Sequence, residues 1–182
     1  MKRVLQFGIA ALVLSQVVAN AGIGSVLVQN NNGGTIIPIF DIDGTTKLAG
    51  ANYSVAVYVN NGGALGAQVG GVISPAASGR FTAGQQDIPG SLAGGTASLF
   101  VVAWDNRTGA TYDLATTRGI SAAFITPSLG GDVDNDPTTP AATASSMALN
   151  FKSFHLSIVP EPSTVALAAL GLGGLLFISR RK

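Results

Sequence analysis

Two groups of aspartates have the spacing that chemistry would need. Asp41 and Asp43 lie in Phe40-Asp41-Ile42-Asp43-Gly44-Thr45, and Asp132, Asp134 and Asp136 lie in Gly131-Asp132-Val133-Asp134-Asn135-Asp136. Paired carboxylates can hold Mg²⁺ while one attacks phosphorus and the other moves a proton, so that a covalent acyl phosphate splits a hydrolysis into two steps. The second group also reads as the start of a Ca²⁺ loop, because alternating carboxylates suit a hard cation. As an EF-hand it fails, since Pro137 stands where the glycine is required and Thr143 where a bidentate glutamate belongs. A looser Ca²⁺ loop remains an alternative to a plain solvated loop. His155 is the only histidine, so no histidine metal cluster can be built, and no Gly-x-Ser-x-Gly elbow places a serine nucleophile. It is expected on a strand, partly exposed. Trp104, Tyr53, Tyr58 and Tyr112 are the aromatics that could stack on sugar faces, with a core role favoured for Trp104. Asn52-Tyr53-Ser54 and Asn106-Arg107-Thr108 match the glycosylation pattern without further support.

Residues 36–45, with the second acidic group about ninety residues on, resemble the nucleophile and metal motifs of haloacid-dehalogenase-type phosphohydrolases. That resemblance implies Asp41 as nucleophile, Asp43 as general acid/base and Mg²⁺ held jointly with the 132–136 group. Three features oppose it. The family's doubly wound sheet needs crossover helices, and the intervening chain reads as strand and turn. Pro38 would fall in a central parallel strand, where a missing N–H is poorly tolerated. No lysine precedes the second acidic group between Lys47 and Lys152. The expectation is therefore two Asp-rich turns at strand ends, no catalytic set and no cofactor.

Composition narrows the classes further. Only 10% of residues are charged, 47% are hydrophobic, and the mean hydropathy is +0.42. That average is set by two greasy ends. Residues 22–159 carry five basic residues (Lys47, Arg80, Arg107, Arg118, Lys152) against eight aspartates, so the middle is mildly acidic although the whole chain is +1. No clustered Lys and Arg offers a footprint for nucleic acid. The absence of cysteine excludes thiol catalysis, disulfides and thiolate metal sites. Glycine, at 24 of 182, is about twice its usual share of roughly 7% and points to many turns between short strands.

The elements that must position these residues are strands. Alternation places Tyr53, Val55, Val57 and Val59 on one face, ending at Asn60-Asn61-Gly62-Gly63. Residues 97–104 are apolar on both faces, as a central strand should be. Further strands are expected over 25–29, 35–40 (edge or bulged at Pro38), 68–73, around 80–82, 111–114, 119–125 and 147–158. No amphipathic helix interrupts them. The expected fold is all-β, an antiparallel β-sandwich of about eight to nine strands over residues 22–159.

Both ends read as addresses. Residues 1–21 have the form of a secretory signal helix: Lys2-Arg3, an apolar stretch, and small residues Ala19 and Ala21 where signal peptidase cuts. Residues 160–182 combine Pro160-Glu161-Pro162, an apolar tract of about fifteen residues that is short for a span of roughly 20, and Arg180-Arg181-Lys182. The prolines keep the first part extended and accessible, and the basic end should stay cytoplasmic. This order resembles the PEP-CTERM sorting domain, and the middle region resembles uncharacterised proteins that carry one β domain between the same two signals. The resemblance implies a C-terminal transmembrane helix in the inner membrane, recognition by exosortase, and delivery to the cell surface or extracellular matrix. A structural, exopolysaccharide-associated role is expected, with a carbohydrate-binding module as the alternative.

Overall fold

The computed structural model describes residues 22–134, 138 and 140–159. The expected signal helix (1–21), the expected transmembrane helix within 160–182, and Asp136 lie outside the described residues. Among the described residues no helix is long and apolar enough to cross a membrane.

The chain is all-β. Its first strand, β1 (Ile23–Gln29), is followed by the two-residue strands β2 (Asn31–Asn32) and β3 (Thr35–Ile36). The long strands are β4 (Tyr53–Asn61), β5 (Ala64–Ile73), β6 (Thr82–Leu92) and β7 (Ser98–Asp105). Three short ones complete the set: β8 (Thr117–Ile120), β9 (Phe124–Ile125) and β10 (Ser157–Ile158). One six-stranded antiparallel sheet has the order β10-β8-β7-β4-β5, with β9 also paired to β7. β1 and β6 form a separate ribbon, and β2 pairs with β3.

β7 is central because its sequence is apolar on both faces. Leu99, Val101 and Ala103 point into the main core, and Val102 and Trp104 into a smaller cluster on the opposite face. The same alternation puts Val55 and Val57 of β4 in the main core and Ala56 and Tyr58 outside it. Val26 and Val28 of β1 and Ile88 of β6 close the main core from the other layer. That layer is a two-stranded ribbon filled out by irregular chain carrying Leu129, Met147, Phe151 and Leu156. Phe151 is its aromatic hub, edge-on to Phe81, Phe124 and Phe154 at 5.8–6.2 Å.

Several expected strands are corrected. The 80–82 signal is the start of the eleven-residue β6, whose Gly84 and Gly90 take positive φ (74° and 75°). Those glycines fall where the β1–β6 register shifts, so they supply the bulges of a twisted ribbon, and Pro89 is tolerated there outside the six-stranded sheet. Residues 111–114 form no strand. Thr111 O accepts from both Leu114 N and Ala115 N, turning the loop back over Trp104. Strand 35–40 stops at Ile36, ahead of Pro38. The 147–158 strand reduces to a short 3₁₀ turn at Met147–Leu149, an extended passage and β10. Its apolar side chains plug the core in place of a sheet ladder. The 119–125 strand splits into β8 and β9 along one edge of β7.

Candidate functional site

The Asp41–Asp43 group is a hairpin turn. Phe40 pairs with Lys47, and Asp41 N donates to Thr46 O. Asp43 Oδ1 accepts from the backbone of Thr45 and Thr46, and its Oδ2 from the Thr46 hydroxyl. Those bonds, the Thr46 hydroxyl first, hold the Asp43 carboxyl down at about 2. Asp43 is thus engaged in its own turn, as expected of an Asp-rich strand end.

Asp41 serves a different contact. Its Oδ2 accepts from the Tyr53 hydroxyl at 2.6 Å. Burial, reinforced by that bond, pushes the phenol up to about 12. Arg107 lies over the Tyr53 ring, 5.6 Å from its centre, and grips Asp105 through Nε to Oδ1 (2.9 Å) and Nη2 to Oδ2 (2.6 Å). The Asp105 carboxyl, largely buried, is lowered from its ordinary value by this guanidinium. The assembly pins the β4 and β7 ends together, since Tyr53 and Asp105 are register partners. It holds each carboxylate with a donor, Asp41 with the Tyr53 hydroxyl and Asp105 with the Arg107 guanidinium.

Asp132 and Asp134 lie at the other end of the sheet. Asp132 O accepts from Gly22 N, and the adjoining Leu129 exchanges bonds with Gly94 and Gly95, just before β7 begins. Asp41 sits beside the last residue of β7, and eight residues of strand at about 3.3 Å each separate the two groups by roughly 25 Å. At that separation the described aspartates, Asp41 and Asp43 on one side and Asp132 and Asp134 on the other, are too far apart to share one Mg²⁺. Within the acidic loop, Asp134 N donates to Asp132 Oδ1 at 3.2 Å. Among the described residues no three His, Asp or Glu side chains are grouped to hold a metal.

His155 is exposed at a single bridge to Phe40, between half-buried Phe154 and buried Leu156. The aromatics separate by face. Tyr53 packs against the main core, whereas Tyr58, Trp104 and Tyr112 gather on the outer face of the six-stranded sheet. Trp104 is 4% exposed, and Tyr112 meets it edge-on at 6.4 Å. Trp104 Nε1 is sealed from solvent with no hydrogen-bond partner among the described residues. Arg118 stacks on Tyr112 (5.0 Å) and donates to its carbonyl oxygen, holding the 109–116 loop down as a cover.

One residue escaped the sequence reading. Asn30 is fully buried, and its amide ties three segments together: Nδ2 donates to Ile37 O and Gly79 O, and Oδ1 accepts from Phe81 N. Its sequence context, Asn30-Asn31-Asn32-Gly33-Gly34, signals only a turn.

The described chain ends at the sheet edge. Ile158 pairs with Thr117, and Val159 N donates to Thr116 O at 2.7 Å. Thr117 continues the register past Trp104, so the chain leaves at the Asp105 end of the sheet. The family model of the PEP-CTERM protein-sorting motif matches residues 159–182, starting at this residue. The chain therefore carries a PEP-CTERM sorting motif, which marks an exported protein processed at the membrane by exosortase. Searches of curated proteins and of solved structures find no match to the chain. Pro160, Glu161, Pro162, Arg180, Arg181 and Lys182 of the tail, and Ala19 and Ala21 of the expected leader, lie outside the described residues.

Proposed function

We propose that this chain is a non-catalytic structural protein of the cell surface or extracellular matrix, seated in exopolysaccharide. Residues 1–21 direct export and are removed after Ala21. Residues 160–182 hold the precursor in the inner membrane until exosortase removes them. The observation that carries the reading is the sorting motif beginning at Val159, the point where the last sheet residue hands over to the tail. The separation of the two aspartate groups supports the non-catalytic part, because it dismantles the best candidate for a phosphohydrolase centre. Fractionation with antibody to the mature domain, followed by intact-mass measurement, tests the reading. A surface or matrix form beginning at Gly22 and lacking residues 175–182 is expected. Recovery of a 175–182 peptide from the extracellular form would overturn it.

A second reading, a carbohydrate-binding module, is favoured by the clustering of Tyr58, Trp104 and Tyr112 on one face and by the unpartnered Trp104 Nε1. A sugar hydroxyl could accept from that N–H if Tyr112 swung aside. Binding on a glycan array, lost in Tyr58→Ala, would favour this module over the purely structural role; silence across polysaccharides would favour the latter.

A further inference from the structure

Both ends of the domain expose apolar side chains, Ile23, Leu92 and Ile125 away from the tail and Ile42, Leu114 and Ile158 beside it, and the end from which the tail departs adds basic ones. Leu114 is 69% exposed and stands two residues from Thr116, whose carbonyl oxygen accepts from Val159 N. Ile158, beside Val159, is 67% exposed. Ile42, at 51%, crowns the hairpin that closes with Lys47 and runs alongside the chain leading into β10. Arg118 and Tyr112 stack on each other in the same region. Apolar tips, a tyrosine and basic side chains are the combination favoured at a bilayer's headgroup layer. The opposite end, around Asp132 and Asp134, has no Lys or Arg in segments 22–24, 91–95 or 127–134.

Chain length brings this end to the membrane. Only six residue steps separate Val159 from Val165, where the apolar tract starts. Even fully extended they reach about 20 Å, so a tail seated in a bilayer keeps the Leu114 end close to the lipid. The opposite end, the length of β7 away, stays roughly 25 Å farther out.

From this arrangement we propose that Ile42, Leu114 and Ile158, with Tyr112, Lys47 and Arg118, form a footing that rests on the lipid headgroups while the tail is in place. The proposal rests on membrane anchoring by residues 160–182. The footing orients the precursor with its outer aromatic face upright and its Asp132 end toward the exterior.

The chain has no cysteine, so single labels can be placed cleanly. Full-length Leu114→Cys and, separately, Leu92→Cys would each carry an environment-sensitive fluorophore and be reconstituted into phosphatidylethanolamine–phosphatidylglycerol vesicles containing lipid-borne quencher. Both replaced side chains are exposed, Leu92 at 61%, so neither change opens a core cavity. The expected result is co-flotation of both proteins, with the label at 114 blue-shifted and quenched several-fold more strongly than that at 92. Co-flotation with equal, water-like signals at the two positions overturns the footing and leaves the anchoring intact. Failure to co-float overturns the anchoring, and the footing with it. A label at 114 that stays aqueous in pure lipid, while the unlabelled Leu114→Cys protein is shielded from a soluble thiol reagent in cells, would indicate a membrane protein as the occupant and overturn the lipid assignment.

Discussion

Asn30 shows how much one polar side chain can organise. Its amide makes three hydrogen bonds that join β1's end, the approach to Ile39 and the Gly79–Phe81 corner. At about 1 kcal/mol net per bond, Asn30→Ala should lower the mature domain's stability by about 3 kcal/mol in urea unfolding. Asn30→Asp should be no milder, since a carboxylate cannot donate to the carbonyl oxygens of Ile37 and Gly79. Asp43 offers a test by pH. Its folded value near 2 lies below the ordinary carboxylate value of about 3.9, so its contribution is present above pH ~4 and fades as pH falls toward 2. The Tm gap between the native protein and Asp43→Asn should therefore be open at neutral pH and close across that window. A gap that persisted at pH 2 would contradict the turn geometry.

Among the elements, the 109–116 loop departs furthest from what its residue types suggest. Thr111-Tyr112-Asp113-Leu114 has strand-like composition, yet it turns back tightly enough that a Cβ at Gly109 would lie 2.4 Å from Ala115 N. The obstacle is backbone, so the loop itself must shift. Gly109→Ala should cost about 1–3 kcal/mol, as overpacking does. Because Trp104 is the only tryptophan and this loop covers it, the same variant should red-shift the protein's fluorescence. Unchanged emission would mean that the cover does not depend on Gly109. The β1–β6 ribbon illustrates a related point: glycine and proline, which read as interruptions, here shape bulges in a strand of eleven residues.

For the whole molecule, the core lies between an antiparallel sheet and a partner layer completed by irregular chain, all within residues 22–159. The isolated segment should thus fold without its two ends. Circular dichroism should report β structure without appreciable helix, with a cooperative thermal transition. A substantial helical signal would undo both the fold and the separation of the aspartate groups that depends on it. The termini of the domain leave from opposite ends of the sheet, Gly22 beside Asp132 and Val159 beside Thr116. The sorting tail therefore leaves a domain with a defined long direction.

What the residues determined alone were the features governed by local pattern. Alternation in 53–59, a two-sided apolar run in 97–104, and the proline, apolar and basic order of the tail need no distant partner to be read. The Asp41–Asp43 turn was also legible, because Asp-x-Asp-Gly beside Thr satisfies itself within a few residues. Tertiary structure decided everything that hinges on which segments meet. It set Asp41 and Arg107 on Tyr53, sealed Asn30 among three chain segments, and turned 147–156 from a strand into a core plug. The physical reason is that such side chains choose their partners from across the fold, and one-dimensional spacing carries no record of which edge or loop will be adjacent.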